Sequence, residues 1–299
     1  NIFVQKLITN NILNKDSGIK QKAEKIMKNT KTNSSKAGRI VTVLFSMLFT
    51  VIFIQNTAIA QETDGLEGIM FNFVDEGDPN VLQPYADALS SNMNSGLFHS
   101  AKVKKGFSLY FGLQGTGTYI NGDNPSVTNA NKTLDILPMA IPQIQIGSLA
   151  GTEISARFLP SIRIGQYGSV GMWGFGIKHG VTSHFKNSPV DVAVGFAVNG
   201  LTIGDSKDKD LVNATSIAAN LQISKELSVF TFYTGVQYDK TSMEVKVNYA
   251  GVTTKMEYEN ENNLKGIVGM NIKLGPVNLN GGYSFGKTNS VSAGIGFGF

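Results

Sequence analysis

Residues Val291-Ser292-Ala293-Gly294-Ile295-Gly296-Phe297-Gly298-Phe299 alternate without a break. Odd positions carry Val, Ala, Ile, Phe and Phe; even positions carry Ser and three glycines. A β-strand sends successive side chains to opposite faces, so one face here is apolar and the other nearly bare. In water so apolar an edge would seed aggregation. In a barrel that spans a membrane, lipid takes the apolar face and the lumen takes the small or polar one.

The same alternation recurs from Gly106 onward. Phe107, Leu109, Phe111 and Leu113 oppose Ser108, Tyr110, Gly112 and Gln114. Ile144 and Ile146 oppose Gln143 and Gln145; Ile154, Ala156, Phe158 and Ile162 oppose Glu153, Ser155, Arg157, Ser161 and Arg163. Trp173, Phe175 and Ile177 face away from Gly174, Gly176 and Lys178, and Val192, Val194, Phe196 and Val198 away from Asp191, Ala193, Gly195 and Asn199. Further stripes run through 216–223, 230–238, 265–274 and 277–285. With the terminal strand the count is about ten, even as single-chain bacterial barrels require.

Connection lengths support this reading. Tight turns at 148–151, 186–189, 224–227 and 275–276 alternate with longer or more polar loops, among them 121–132, 204–213 and 239–263. Counted back from the C-terminus, every tight turn falls on the periplasmic side, as expected of an outer-membrane barrel. Residues 243–249 and 252–258 have the pattern of a hairpin inside the 239–263 insert; were it to enter the membrane, the count would be twelve. A soluble β-sandwich also wants alternating strands, but it explains neither the glycine-rich opposite faces nor the two ends of the chain.

The front of the chain reads as an export leader. Lys28, Lys31, Lys36 and Arg39 precede an apolar run from Ile40 to Ile54, followed by Ala58-Ile59-Ala60. That order makes residues 1–60 a leader with a secretory signal peptide cleaved after the small-x-small pair Ala58 and Ala60. Met27 stands just before the basic stretch and is the expected true start, with 1–26 as upstream sequence. The whole chain has 26 basic and 22 acidic side chains. The leader takes 9 basic and 2 acidic with it, leaving 17 and 20, a net of −3. The basic balance belongs to the leader, so nucleic acid is not an expected partner. Without cysteine there are neither disulfides nor a lipidated anchor.

Residues 61–105 are expected to form a periplasmic arm and a short helix, ahead of a barrel at 106–299. Leu82, Tyr85, Ala86, Leu89 and Met93 have helical spacing, with Asp78-Pro79-Asn80 as a start and Gly96 as a stop. The expected place of this helix is a plug or lid on the barrel end.

Tyr85-Ala86-Asp87-Ala88-Leu89, Met93-Asn94-Ser95-Gly96, the 101–107 segment and Gly176-Ile177-Lys178-His179 together resemble an uncharacterised family of exported outer-membrane β-barrel proteins. That family is loosely similar to long-chain fatty-acid transporter-like barrels, which implies passage of small apolar solutes. The chain has room for fewer strands than those transporters and lacks their long N-terminal hatch. The terminal Phe297 and Phe299 resemble the C-terminal sorting signal of Gram-negative outer-membrane barrels. The expected partners are therefore outer-membrane lipid, the barrel-assembly machinery and a small apolar solute.

Chemistry-bearing residues are few. Glu153, Lys178 and Asp191 share inward parity on consecutive strands, with Arg157 about two inward positions above, so one lumen network is expected near the periplasmic mouth. His99, His179 and His184 lack metal-ligand spacing. There is no Gly-x-Ser-x-Gly elbow. The outer loops carry aspartates but no histidine, unlike omptin-type proteases. No catalytic, cofactor-binding or metal site is expected. The leading expectation is a non-enzymatic channel or transporter for small or apolar solutes. The alternative is a structural or surface-interaction barrel with a filled lumen.

Overall fold

The computed structural model describes residues 82–103, 106–120, 136–163, 168–185, 188–204, 210–249, 252–261 and 263–299. The leader, with Ala58 and Ala60, and the arm at 61–81 lie outside the described residues.

Among the described residues one helix, α1 (Gln83–Asn94), is followed by β1 (Ser108–Tyr119), β2 (Ile136–Leu149), β3 (Thr152–Arg163), β4 (Ser169–Gly180) and β5 (Asp191–Gly204). Then come β6 (Asp210–Leu227), β7 (Phe230–Tyr249), β8 (Val252–Glu259), β9 (Leu264–Leu274), β10 (Val277–Phe285) and β11 (Ser290–Gly298). A 3-10 turn, Val181–His184, follows β4. All pairings are antiparallel, and β1 pairs with β11 from Tyr110↔Gly298 to Thr118↔Ser290, which closes the barrel. Phe299 and Leu109 exchange both backbone hydrogen bonds at the foot of that seam.

The wall has ten strands. β7 is long enough to serve two neighbours: Phe230–Tyr238 pairs with β9, and Ser242–Tyr249 pairs with β8. The 239–263 insert is thus a strand extension carrying the hairpin expected of 243–249 and 252–258, rather than an open polar loop. The twelve-strand count does not arise, because β8 prolongs the β7 flank above β9 instead of entering beside it. The outward face of β7 changes after Tyr238 from Phe230, Phe232, Val236 and Tyr238 to Lys240, Ser242, Glu244 and Lys246. Lipid imposes the first pattern and water the second. The apolar stretch matches the nine to eleven or so residues a transmembrane strand needs.

Outward apolar residues form a belt: Phe111, Phe158, Phe175, Phe196, Leu221, Phe232, Val268 and Phe297 are all exposed. Inward partners such as Gln114, Gln143, Ser155, Lys178, Asn199 and Gln222 are buried. Among the described residues the strand register shifts at three places, Gly147/Leu149, Leu159/Ile162 and Ile203/Gly204. Between Leu159 and Ile162 the β3–β4 register slips by one residue. Pro160 lies there, and without an N–H it suits a bulge. Past that shift period-two alternation no longer assigns Ser161, Ile162 and Arg163 to a face, and all three are exposed at the rim.

The helix departs furthest from expectation. It does not cap a barrel end; it lies inside the lumen. Proline in its first turn and Gly96 beyond its end (φ 61°) set its limits. Every residue from Ala86 to Asn94 is buried, polar and apolar alike, because wall surrounds the helix on all sides. Its start faces the end of the barrel that carries the long loops, where Gln83 Nε2 donates to Glu259 O at 2.7 Å and Glu261 N to Asp87 Oδ1 at 2.7 Å. From Ser95 the chain runs extended toward the tight-turn end and then enters β1.

Candidate lumen site

The helix meets two different interiors. Its apolar side, Leu82, Ala86, Leu89 and Met93, packs against inward residues at the loop end: Ile141, Met172, Leu201, Val212, Met243 and Val245 among them. On the β7–β8 hairpin, Met243 and Val245 face in opposite Tyr258 and Met256, while Glu244 and Lys246 face out. The helix's polar side is tied to six strands. Ser91 and Ser95 hydroxyls share Ser290 of β11 at 3.2 and 2.6 Å. Asn92 Nδ2 donates to Leu137 O of β2 at 2.5 Å, and Thr116 of β1 donates to Asn92 Oδ1. Asn94 donates to Ser216 Oγ of β6 at 2.6 Å and accepts from Asn199 of β5 at 2.9 Å. Thr241 of β7 donates to Ser90 at 2.7 Å.

Arg157 completes the helix rather than an ion-pair network. Its guanidinium donates to the carbonyls of Met93 (3.3 Å), Ser95 (3.1 Å) and Gly96, while its Nε donates to Gln143 Oε1 at 2.8 Å. The last carbonyls of a helix lack intrahelical partners and carry partial negative charge, which a buried cation matches.

Below the helix, side chains of the wall satisfy an extended backbone. Leu97 O accepts from Gln143 at 3.1 Å, Phe98 O from Gln222 at 3.0 Å and Ser100 O from Lys178 at 2.9 Å. Ala101 N donates to Ser224 Oγ at 3.0 Å. Unpaired backbone groups in a barrel interior would be costly, so these inward glutamines act as surrogate strand partners. Phe98 fills the room left by small residues on β4 and β5: a Cβ on Gly195 would come within 2.6 Å of its ring.

Lys178 and Glu153 are direct register partners on β4 and β3, and their charged atoms lie 2.9 Å apart with Lys178 only 3% exposed. Asp191 does not join them. The β5 partner of Lys178 is Gly195, four residues along from Asp191, or roughly 13 Å of strand. Alternation gives the correct face, but Asp191 sits at the very start of β5, below the pair. A second buried pair lies where the sequence predicts the start of a polar loop. Lys265 Nζ lies 2.8 Å from Asp239 Oδ2, both almost fully buried, and Gln237 donates to the other carboxylate oxygen at 2.8 Å. The signal was available: Asp239 continues the inward parity of Gln237.

His99 lies inside the lumen, 7% exposed, its ring 6.2 Å from that of Tyr110. His179 and His184 stack at the turn end with Nε2 atoms 3.1 Å apart, and His179 Nδ1 lies 3.0 Å from Thr152 Oγ1. Among the described residues no three His, Asp or Glu side chains are grouped to hold a metal.

A closed barrel whose β2 to β11 fall almost wholly within one stretch frames the family match, which spans residues 123–299. The chain belongs to the DUF6588 family, a family of unknown function. The DUF6588 match begins after α1 and β1. No curated protein matches the sequence. Similar solved structures include AlkL, determined in lipid bilayers, at 12% identity over 67% of this chain and 93% of its own, TM-score 0.35. OprG from Pseudomonas aeruginosa matches at 11% identity over 67% and 99%, TM-score 0.34. Ail of Yersinia pestis matches at 9% identity over 66% and 100%, TM-score 0.32.

Proposed function

We infer that this DUF6588 chain is a non-enzymatic outer-membrane barrel stoppered by its own N-terminal segment, serving as a structural or surface-interaction barrel rather than an open passage. The observation that carries this reading is the burial of α1 on every side, with hydrogen bonds to six strands. A passive channel for apolar solutes fits less well. The loop half of the lumen holds an apolar cluster of helix and wall side chains, and the turn half is lined by amides, hydroxyls and ions.

The exposed apolar belt and the terminal Phe297 and Phe299 support an outer-membrane site, with lipid and the barrel-assembly machinery as partners. With tight turns toward the periplasm, the charged face of the β7–β8 hairpin stands on the outer side and is the surface offered to a partner. The start of α1 also opens on that side.

Liposome swelling tests the reading. Native protein should pass no more solute than empty liposomes. Arg157→Met, which strips the helix end of its cation, should raise flux if the plug loosens. Sugar or amino-acid flux through the native protein would overturn the stoppered barrel.

A further inference from the structure

The lumen is not filled evenly. Between the extended 98–102 segment and the inner faces of β1, β9 and β10 lies a cavity of about 220 Å³ that opens at the tight-turn end. It could hold about seven waters. Both ring nitrogens of His99 lack a hydrogen-bond partner, as does Oδ1 of Asn271. Asn280 lies beside Tyr110, but neither of its amide atoms makes a well-formed hydrogen bond. All four residues line the cavity, and His99 and Asn280 are each 7% exposed. Buried polar groups are nearly always paired, so such a cluster aimed at one space points to something that occupies it.

The lining defines the chemistry. Amides, a neutral imidazole and a phenol each offer both a donor and an acceptor. That is the complement of hydroxyl groups, which also do both. The cavity's ions are mostly spent on each other: Lys178 pairs with Glu153, and Lys102 with Glu226. Lys273, at the mouth, has no ion-pair partner among the described residues, which leaves one positive charge uncompensated. The rings of His99 and Tyr110 supply an apolar wall. The volume is below the 300–1,000 Å³ or so of drug-sized pockets, which limits the ligand to about one sugar ring.

We propose that the turn-end cavity of the lumen is a binding site for a single hexose-sized polyhydroxylated molecule, with Lys273 favouring one that carries a carboxylate. The site is reached from the tight-turn end alone, since α1 and its apolar packing fill the loop half. That direction of access rests on the stoppered-barrel reading; the binding itself does not.

The test is titration of the full chain, purified in a detergent without a sugar headgroup, with D-glucuronate, D-glucose and cyclohexanecarboxylate, read by ligand-observed NMR and calorimetry. D-glucuronate should bind with a dissociation constant of about 1 mM or tighter. D-glucose should bind several-fold more weakly, and cyclohexanecarboxylate, a similar anion without hydroxyls, should not bind. His99→Leu and Asn280→Leu should each remove sugar binding, while Lys273→Met should weaken glucuronate to the level of glucose and leave glucose unchanged. Asn271→Leu provides a second lining variant should either of the first two fail to fold. If neither sugar binds at ten times that concentration, the cavity holds water only and the proposal falls. Equal binding of cyclohexanecarboxylate would overturn it as well. Because binding is read in detergent and flux in liposomes, an open lumen would show itself without altering this result.

Discussion

The two halves of the lumen are built on opposite principles. At the loop end the inner wall is apolar and the helix packs into it as a side chain packs into a core. At the turn end the inner wall is polar and holds a bare backbone by hydrogen bonds, with a cavity left beside it. The first half gains stability from excluding water; the second forgoes some of that gain and keeps polar groups in reserve. One chain segment crosses both, changing from helix to extended where the wall changes chemistry.

The sharpest test sits at the boundary between the halves. Lys265→Met should leave Asp239 buried without its cation and cost about 3–5 kcal/mol in detergent-solubilised thermal or urea unfolding. The double variant Asp239→Leu/Lys265→Met should recover most of that loss. If the single change is silent, the pair is not buried as described. Next in size is the loop half. Leu89→Ala or Met93→Ala should each cost about 2–5 kcal/mol, since the closed wall cannot collapse onto the vacated space. A loss below about 1 kcal/mol would mean the helix is not a packed core element. In the turn half the same measurement should give a different answer. Asn280→Leu removes polar atoms that have no good partner, so stability should stay within about 1 kcal/mol of the parent or rise. Equal losses in both halves would erase the contrast.

The smallest effect lies on the hairpin above the belt. Glu244 hydrogen-bonds Lys246 at 3.0 Å, and Lys255 lies 3.7 Å away. The Lys246 hydrogen bond is the main cause that holds the Glu244 carboxyl below its ordinary value of 4.5. A depressed folded pKa gives stability that is fully present above the unfolded value and is lost as pH falls through the folded one. Protection factors of the β7 and β8 amides, referred to intrinsic exchange at each pH, should therefore fall below pH 4.5 in the parent, and less so in Glu244→Gln. An equal fall in both would remove Glu244 as the cause.

Lipid made the wall legible. It demands an apolar residue at every second position, and no distant contact is needed to see that in Val291–Phe299 or Val192–Val198. The contents of the lumen were harder to read because their partners are far apart in sequence. Lys178 and Glu153 share a face by alternation, but only the register of β4 against β5 shows that Asp191 lies too low to join them. Arg157 reads as one more inward charge until the helix end arrives beside it. Two signals were present even so. Leu137, Met139, Ile141, Met172 and Leu201 are apolar at inward positions near the loop end, and a water-filled lumen gives no reason for that. The inward glutamines at 143, 145 and 222 need acceptors that the wall alone does not supply.

Ser290 has a consequence for how the molecule assembles. It begins the last strand, is paired with Thr118 across the seam, and shares its hydroxyl with Ser91 of the helix and Ser95 just past its end. The seam joins the first strand to the last, the most distant pairing in the sheet, and loop-closure entropy makes such contacts late and slow. A helix surrounded by wall must be in place before that seam shuts. The segment that occupies the lumen thus also presents a docking edge for the final strand. In refolding kinetics Ser290→Ala should slow closure more than it hastens opening, the signature of a contact already formed at the rate-limiting step.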